Sequence, residues 1–202
     1  WFRTIMQDNK ISIKDITNII IDYYNIAQIL RWSKVIRSQN GYKFSDDDTC
    51  VTRIQYSGGS GYSSYLWITP EIQPVNKGIH CWRVNANHTK SESGWVVYGI
   101  SPPNPDLKKG FGQKDVWGVA YNNCWYPYGQ EFRNGGASSC KHLYKKNLDV
   151  DILLDLDKGL LNMVVVGMND DEHEFRFIGI KNTNEFGGWV PHLNCYDSQG
   201  KH

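Results

Sequence analysis

Two rhythms of hydrophobic and polar positions divide the 202-residue chain. Near the N-terminus Ile13, Ile16, Ile20, Tyr23, Ala27 and Leu30 recur every three or four positions, the period of one helix face. Ser12, followed three residues on by Asp15, has the form of a capping box, which satisfies main-chain N–H groups that a first helical turn leaves free. The spacing predicts a helix from about Ile13 to Ser33. Isoleucine is β-branched and loses rotamer freedom in a helix, so this one depends on burying its apolar stripe. The simplest reading packs the stripe on the rest of the chain; the alternative docks residues 13–33 on another subunit or in a coiled coil, helped by Tyr23, Tyr24 and Trp32.

From Phe44 onward short β-type runs alternate with clusters of Gly, Pro, Asn and Asp, and helical spacing does not return. The expected strands are Cys50 to Tyr56, Tyr65 to Ile68, Ile79 to Ala86, Trp95 to Ser101, Asp115 to Tyr121, Cys124 to Tyr128, Val150 to Leu156, Leu160 to Val166, Glu174 to Ile180 and Trp189 to Tyr196. They fit an all-β fold, a two-sheet antiparallel sandwich of residues 44–202 preceded by a helical segment of residues 1–43. The clearest hairpin turns at Asp157-Lys158-Gly159, where glycine supplies a positive φ. In its first strand Val150, Ile152, Leu154 and Leu156 share one face and Asp149, Asp151 and Asp155 the other, an inward and an outward side.

Charge sharpens the division. Residues 1–43 carry net +4 and the remainder net −3, yet the whole is only +1. No field of one sign is available to hold a polyphosphate, so nucleic acid is not the expected partner. No run reaches the roughly 18 apolar residues of a membrane span, and the start Trp1-Phe2-Arg3-Thr4 has no signal-peptide form. The five cysteines are scattered and never spaced Cys-x-x-Cys, which predicts a reducing cytoplasmic setting without disulfides or structural zinc. Composition is ordinary except that aromatic residues reach 13%, with 8 Trp and 12 Tyr, side chains used in cores and on recognition surfaces.

Candidate chemistry is sparse. Asp149, Asp151, Asp155 and Asp157 do not make a calcium loop, since the position twelve from Asp155 is Val166, and Asp155 and Asp157 are accounted for by their turn. Gly58-Gly59-Ser60-Gly61 is neither a nucleophile elbow nor a phosphate loop, because no helix follows it. Cys140 with His142 lacks a second ligand pair, and His80, alternating with Trp82 and Val84, reads as a core or edge histidine. No catalytic residue, metal site or cofactor is expected.

Several stretches, in order, resemble the SPRY domain family, first noted in a splA kinase and ryanodine receptors. Gly78-Ile79-His80-Cys81-Trp82-Arg83-Val84 is similar to its Gly-x-His-aromatic-Trp-Glu-Val strand, with Cys81 for the aromatic and Arg83 for the Glu. Gly94-Trp95-Val96-Val97-Tyr98-Gly99-Ile100 resembles the next strand, whose Trp serves as an inter-sheet aromatic and whose Gly permits close backbone approach. Val150 to Met163 resembles the family's Val-Gly-Val-Leu-Leu-Asp-x-Asp-x-Gly-x-Leu-x-Phe hairpin, with Asp151 for Gly and Met163 for Phe. Asp115 to Gln130 is similar to the central region, and Trp189 to Tyr196 to the closing strand, so the resemblance covers about residues 78–196.

This resemblance implies a concanavalin-like jelly-roll sandwich with no catalysis of its own. It implies a protein or peptide ligand bound by loops at one end of the sandwich, in a substrate-recruiting adaptor of a ubiquitin ligase or in a scaffold. The loops expected there are Gly58 to Ser64, Asn87 to Ser93, Asn122 onward and Asp197-Ser198, and Tyr62, Tyr65, Trp117, Tyr126, Tyr196 and Asp197 are the expected binding residues. Core packing is the competing role for Trp117 and Tyr196. A carbohydrate-binding jelly roll and a structural subunit docking through its helix are the alternatives.

Overall fold

The computed structural model describes residues 32–37, 42–47, 49–53, 64–87, 95–106, 114–122, 129–133, 136–140, 147–166, 172–181 and 187–197. Thirteen strands run through them: β1 (Trp32–Arg37), β2 (Tyr42–Phe44), β3 (Val51–Arg53), β4 (Ser64–Pro70), β5 (Ile79–Asn87), β6 (Trp95–Ser101), β7 (Trp117–Asn122), β8 (Gly129–Arg133), β9 (Gly136–Cys140), β10 (Asn147–Asp155), β11 (Leu160–Val166), β12 (Glu172–Ile178) and β13 (Val190–Asp197). All named pairings are antiparallel. One sheet has seven strands in the order β1-β4-β13-β6-β7-β8-β9, a second has four in the order β12-β11-β10-β5, and β2 and β3 pair alone. The expected two-sheet sandwich is thus the observed fold.

The expected helix does not extend to Ser33. Trp32 and Ser33 open β1, which pairs with β4 at the edge of the seven-stranded sheet, so residues 32–37 run with the sandwich and not with the segment expected before it. The rest of that helix, and the expected strand Cys124 to Tyr128, lie outside the described residues.

The core follows from period-two alternation. Val150, Ile152 and Leu154 of β10 and Leu161, Met163 and Val165 of β11 meet Tyr98 and Ile100 of β6 and Trp117 and Val119 of β7, all at most 8% exposed. Each side chain of this size contributes about 1.5–3 kcal/mol on full burial. Trp117 stands edge-on to Phe177, with ring centroids 6.4 Å apart.

The β10–β11 hairpin closes as its sequence predicts, with Gly159 at φ 62°. Its carbonyl accepts the N–H groups of Gly179 and Ile180, and a Cβ there would lie 2.7 Å from the Ile180 oxygen. Asp155 accepts from the Lys158 N–H at 3.0 Å and from Lys158 Nζ at 2.6 Å, while Asp157 accepts from the Gly78 N–H at 3.1 Å.

The outward side of β10 departs from expectation. Asp149 is exposed, but Asp151, Leu153 and Asp155 are 0%, 6% and 5% exposed. Asp151 sits across from Arg83, which donates from Nε at 2.6 Å and from a terminal nitrogen at 2.8 Å, the planar fork meeting both carboxylate oxygens.

Candidate functional site

The strand ends bring one end of the seven-stranded sheet together. The N-terminus of β4 pairs with the C-terminus of β13, so that Ser64 stands opposite Asp197 and Tyr65 opposite Tyr196. Tyr196 is also opposite Trp95 at the start of β6, and Trp95 opposite Asn122 at the end of β7. A single row, Tyr65–Tyr196–Trp95–Asn122, therefore crosses four neighbouring strands. The chain leaves this end before Ser64, after Asn122, before Trp95 and after Asp197, the points where sequence places the recognition loops.

This row lies on the face turned away from the inter-sheet core. Along β6, Val96, Tyr98 and Ile100 pack on the core, so positions 95, 97 and 99 alternate to the outer face. Position 95, where the resemblance implies an inter-sheet aromatic, thus falls on the outer face, while Trp117 and Trp189 belong to the buried core cluster. One row inward stand Trp67, Asn194, Val97 and Ala120, of which the last three are 0% exposed.

Of the six residues expected to bind, Tyr65 and Tyr196 share this row, and Asp197 is the next position along β13, on the opposite face by the same alternation. Trp117 is 8% exposed within the core, where it supports the sheet. Tyr62 and Tyr126 lie outside the described residues. Asn122 was read only as a loop boundary and Trp95 as a core residue; their place in the row needed the β6–β7 and β6–β13 registers, which no local pattern encodes.

The electrostatics of the outer face near this row are neutral. Its described residues there, Thr69, Val97, Gly99, Ser101, Gly118, Ala120, His192 and Asn194, carry no acidic or basic group other than the imidazole. Burial pushes the His192 imidazole down to about 3, opposed by its hydrogen bond to the Ile100 main chain, so it is neutral at physiological pH. Gly99 and Gly118 face each other across β6 and β7, the close approach expected of Gly99.

Nothing resembling an acid–base pair is free among the described carboxylates of the hairpin, since Asp151, Asp155 and Asp157 are engaged as above. Among the described residues no three His, Cys, Asp or Glu side chains form a metal-binding group. Burial, with Asp151 nearby, raises the Cys81 thiol to about 12, which removes its thiolate reactivity. His80 sits half-buried at the strand start, its Nε2 2.7 Å from the Lys77 carbonyl and its ring stacked on Trp82. No helix among the described residues is long and apolar enough to cross a membrane.

No family model and no curated protein sequence matches the chain. Solved structures do match its fold. The TRIM65 PSpry domain is similar over 89% of this chain and 94% of its own, with a TM-score of 0.59 and 17% identity. Stonustoxin matches over 83% of this chain but 26% of its own, with a TM-score of 0.55 and 14% identity. Winged bean acidic lectin complexed with methyl-alpha-D-galactose matches over 81% of this chain and 84% of its own, with a TM-score of 0.53 and 13% identity. The fold is SPRY-like, on a sandwich architecture shared with the lectin.

Proposed function

We propose that this chain is a non-catalytic protein-interaction module that takes a peptide segment, or the surface of a folded partner, on the loop-bearing end of its seven-stranded sheet. The observation that carries the reading is the row Tyr65–Tyr196–Trp95–Asn122 with Ser64 and Asp197 beside it, at the end from which four connections leave. Aromatic residues on rigid strands offer contact area at small entropic cost, and an amide or carboxylate fixes the register of a bound backbone. The SPRY-like fold supports the same reading. By the resemblance to the SPRY family, its cellular setting is substrate recruitment to a ubiquitin ligase or a scaffold in the cytoplasm.

The test captures proteins from a lysate with the intact chain and with a folded Tyr65→Ala, Trp95→Ala double variant, and then measures each recovered partner by calorimetry with purified protein. Partners bound by the intact chain and lost by the variant are expected. Equal binding by both overturns the site, and calcium-dependent retention on a glycan array in place of any protein partner moves the assignment to a sugar-binding jelly roll.

A further inference from the structure

Thr69, His192 and Asn194 are 1%, 2% and 0% exposed, polar side chains buried on a face with no described layer packed over it. Their position is fixed by register. Leu193, between His192 and Asn194, packs on the core and pairs with Ile68, so Thr69 stands across from His192 and diagonally from Asn194. Diagonal cross-strand neighbours stand about 7–8 Å apart. The two side chains are near neighbours but are not hydrogen-bonded to each other, so one small molecule held between them can bond to both.

Thr69 Oγ1 and both polar atoms of Asn194 are buried and meet no protein partner. Leaving such a group unpaired is costly, and the large majority of buried polar side-chain atoms in native proteins are paired with protein or water. Ser101, on the same face, turns its hydroxyl to the Pro102 carbonyl at 3.0 Å and so does not serve them. The bridging species must donate and accept at once, because a hydroxyl and a carboxamide each do both. A small neutral molecule fits the spot: among the described residues no acidic or basic group faces it apart from the uncharged His192 imidazole, and both side chains are shut off from solvent.

We propose that Thr69 and Asn194 hold a buried water molecule that ties β4 to β13 one row below Tyr65 and Tyr196. Internal waters of this kind typically make about three hydrogen bonds to groups the chain leaves unpaired. The inference stands independently of the interaction role, because it concerns the free chain.

A crystal structure of the full chain at about 1.5 Å resolution tests it directly. Density for a water within hydrogen-bond distance of both Thr69 Oγ1 and the Asn194 amide is expected; an amide bonded to protein atoms with no such density overturns the proposal. A double-mutant cycle gives a second reading. Thr69→Val and Asn194→Leu each strip the same water of a partner, so the fall in urea midpoint of the double variant is expected to be short of the summed single falls by roughly a third. Strict additivity overturns the shared water, and Asn194→Ser replaces Asn194→Leu in the cycle if the latter does not fold.

Discussion

The outer faces of the two sheets solve burial of polar groups in opposite ways. On the four-stranded sheet charge is met by charge: Arg83 closes on Asp151 and Lys158 on Asp155. Hydrogen bonding to Asp151 raises the Arg83 guanidinium further, so the arginine carries its charge at physiological pH. On the seven-stranded sheet the buried polar groups are an amide, a hydroxyl and a neutral imidazole, and an aromatic row borders them at the loop-bearing end. A face sealed by fixed ion pairs is committed to structure. The neutral face keeps its hydrogen-bonding capacity for groups that are not part of the sheet.

Breaking the charged face should have the largest effect. Arg83→Ala leaves the Asp151 carboxylate buried without a counter-charge and is expected to cost about 3 kcal/mol in urea unfolding. Asp151→Gly should cost less, because the Arg83 side chain is already 32% exposed and can turn to water. Arg83 and Asp151 are also two positions where the chain differs from the Glu and Gly of the SPRY motifs it resembles. Arg83→Glu alone should therefore be severe, and adding Asp151→Gly should recover most of the loss; no recovery would show that the two departures are unrelated.

The neutral face is sharpened by pH. The native His192 is held down at about 3 while an unfolded histidine titrates near 6.5, so the unfolded chain binds this proton first as the solution is acidified. Above pH 6.5 the group contributes no pH dependence. From there down toward 3, stability is expected to fall by about 1.4 kcal/mol per pH unit on account of His192, and His192→Gln should flatten that part of a melting-temperature profile. An unchanged slope would mean that His192 is protonated in the native fold.

The smallest effect belongs to the rim of the charged face. Ile79 and Ile178 are 50% and 67% exposed, and replacing either by Ser should move stability by no more than about 0.5 kcal/mol in thermal melts. A larger loss would show that the rim is covered.

How much of this was legible depended on how local the signal was. The bounds of β6 and β11 match their expected strands, because each is a β-type apolar run closed at both ends by Gly or Pro. The pair β8 and β9 went unread although Arg133 is opposite Gly136 with Asn134-Gly135 between them, a strong two-residue hairpin signal overshadowed by the aromatic run before it. The expected helix takes in only Trp32 and Ser33 of β1, and the rest of that strand carries no strong alternation of its own, so pairing with β4 is what defines it. Asp151 illustrates the limit most clearly. On the polar side of an alternating strand an aspartate reads as exposed, and what buries it includes an arginine 68 residues away. The candidate site was legible in its residue types and loop positions, but its row exists only once four strands are in register.

The facing glycines of β6 and β7 carry a meaning for comparing sequences. A Cβ on Gly99 would come within 2.7 Å of the Gly118 Cα, and one on Gly118 within 2.9 Å of the Gly99 Cα, so no repacking of side chains admits either. The two positions form one constraint separated along the chain. Distant sequences that keep this strand register must keep both glycines, and a sequence that has lost one has shifted or opened the β6–β7 ladder. Where 17% identity gives an alignment little footing, this pair supplies a fixed point from which the rest can be threaded.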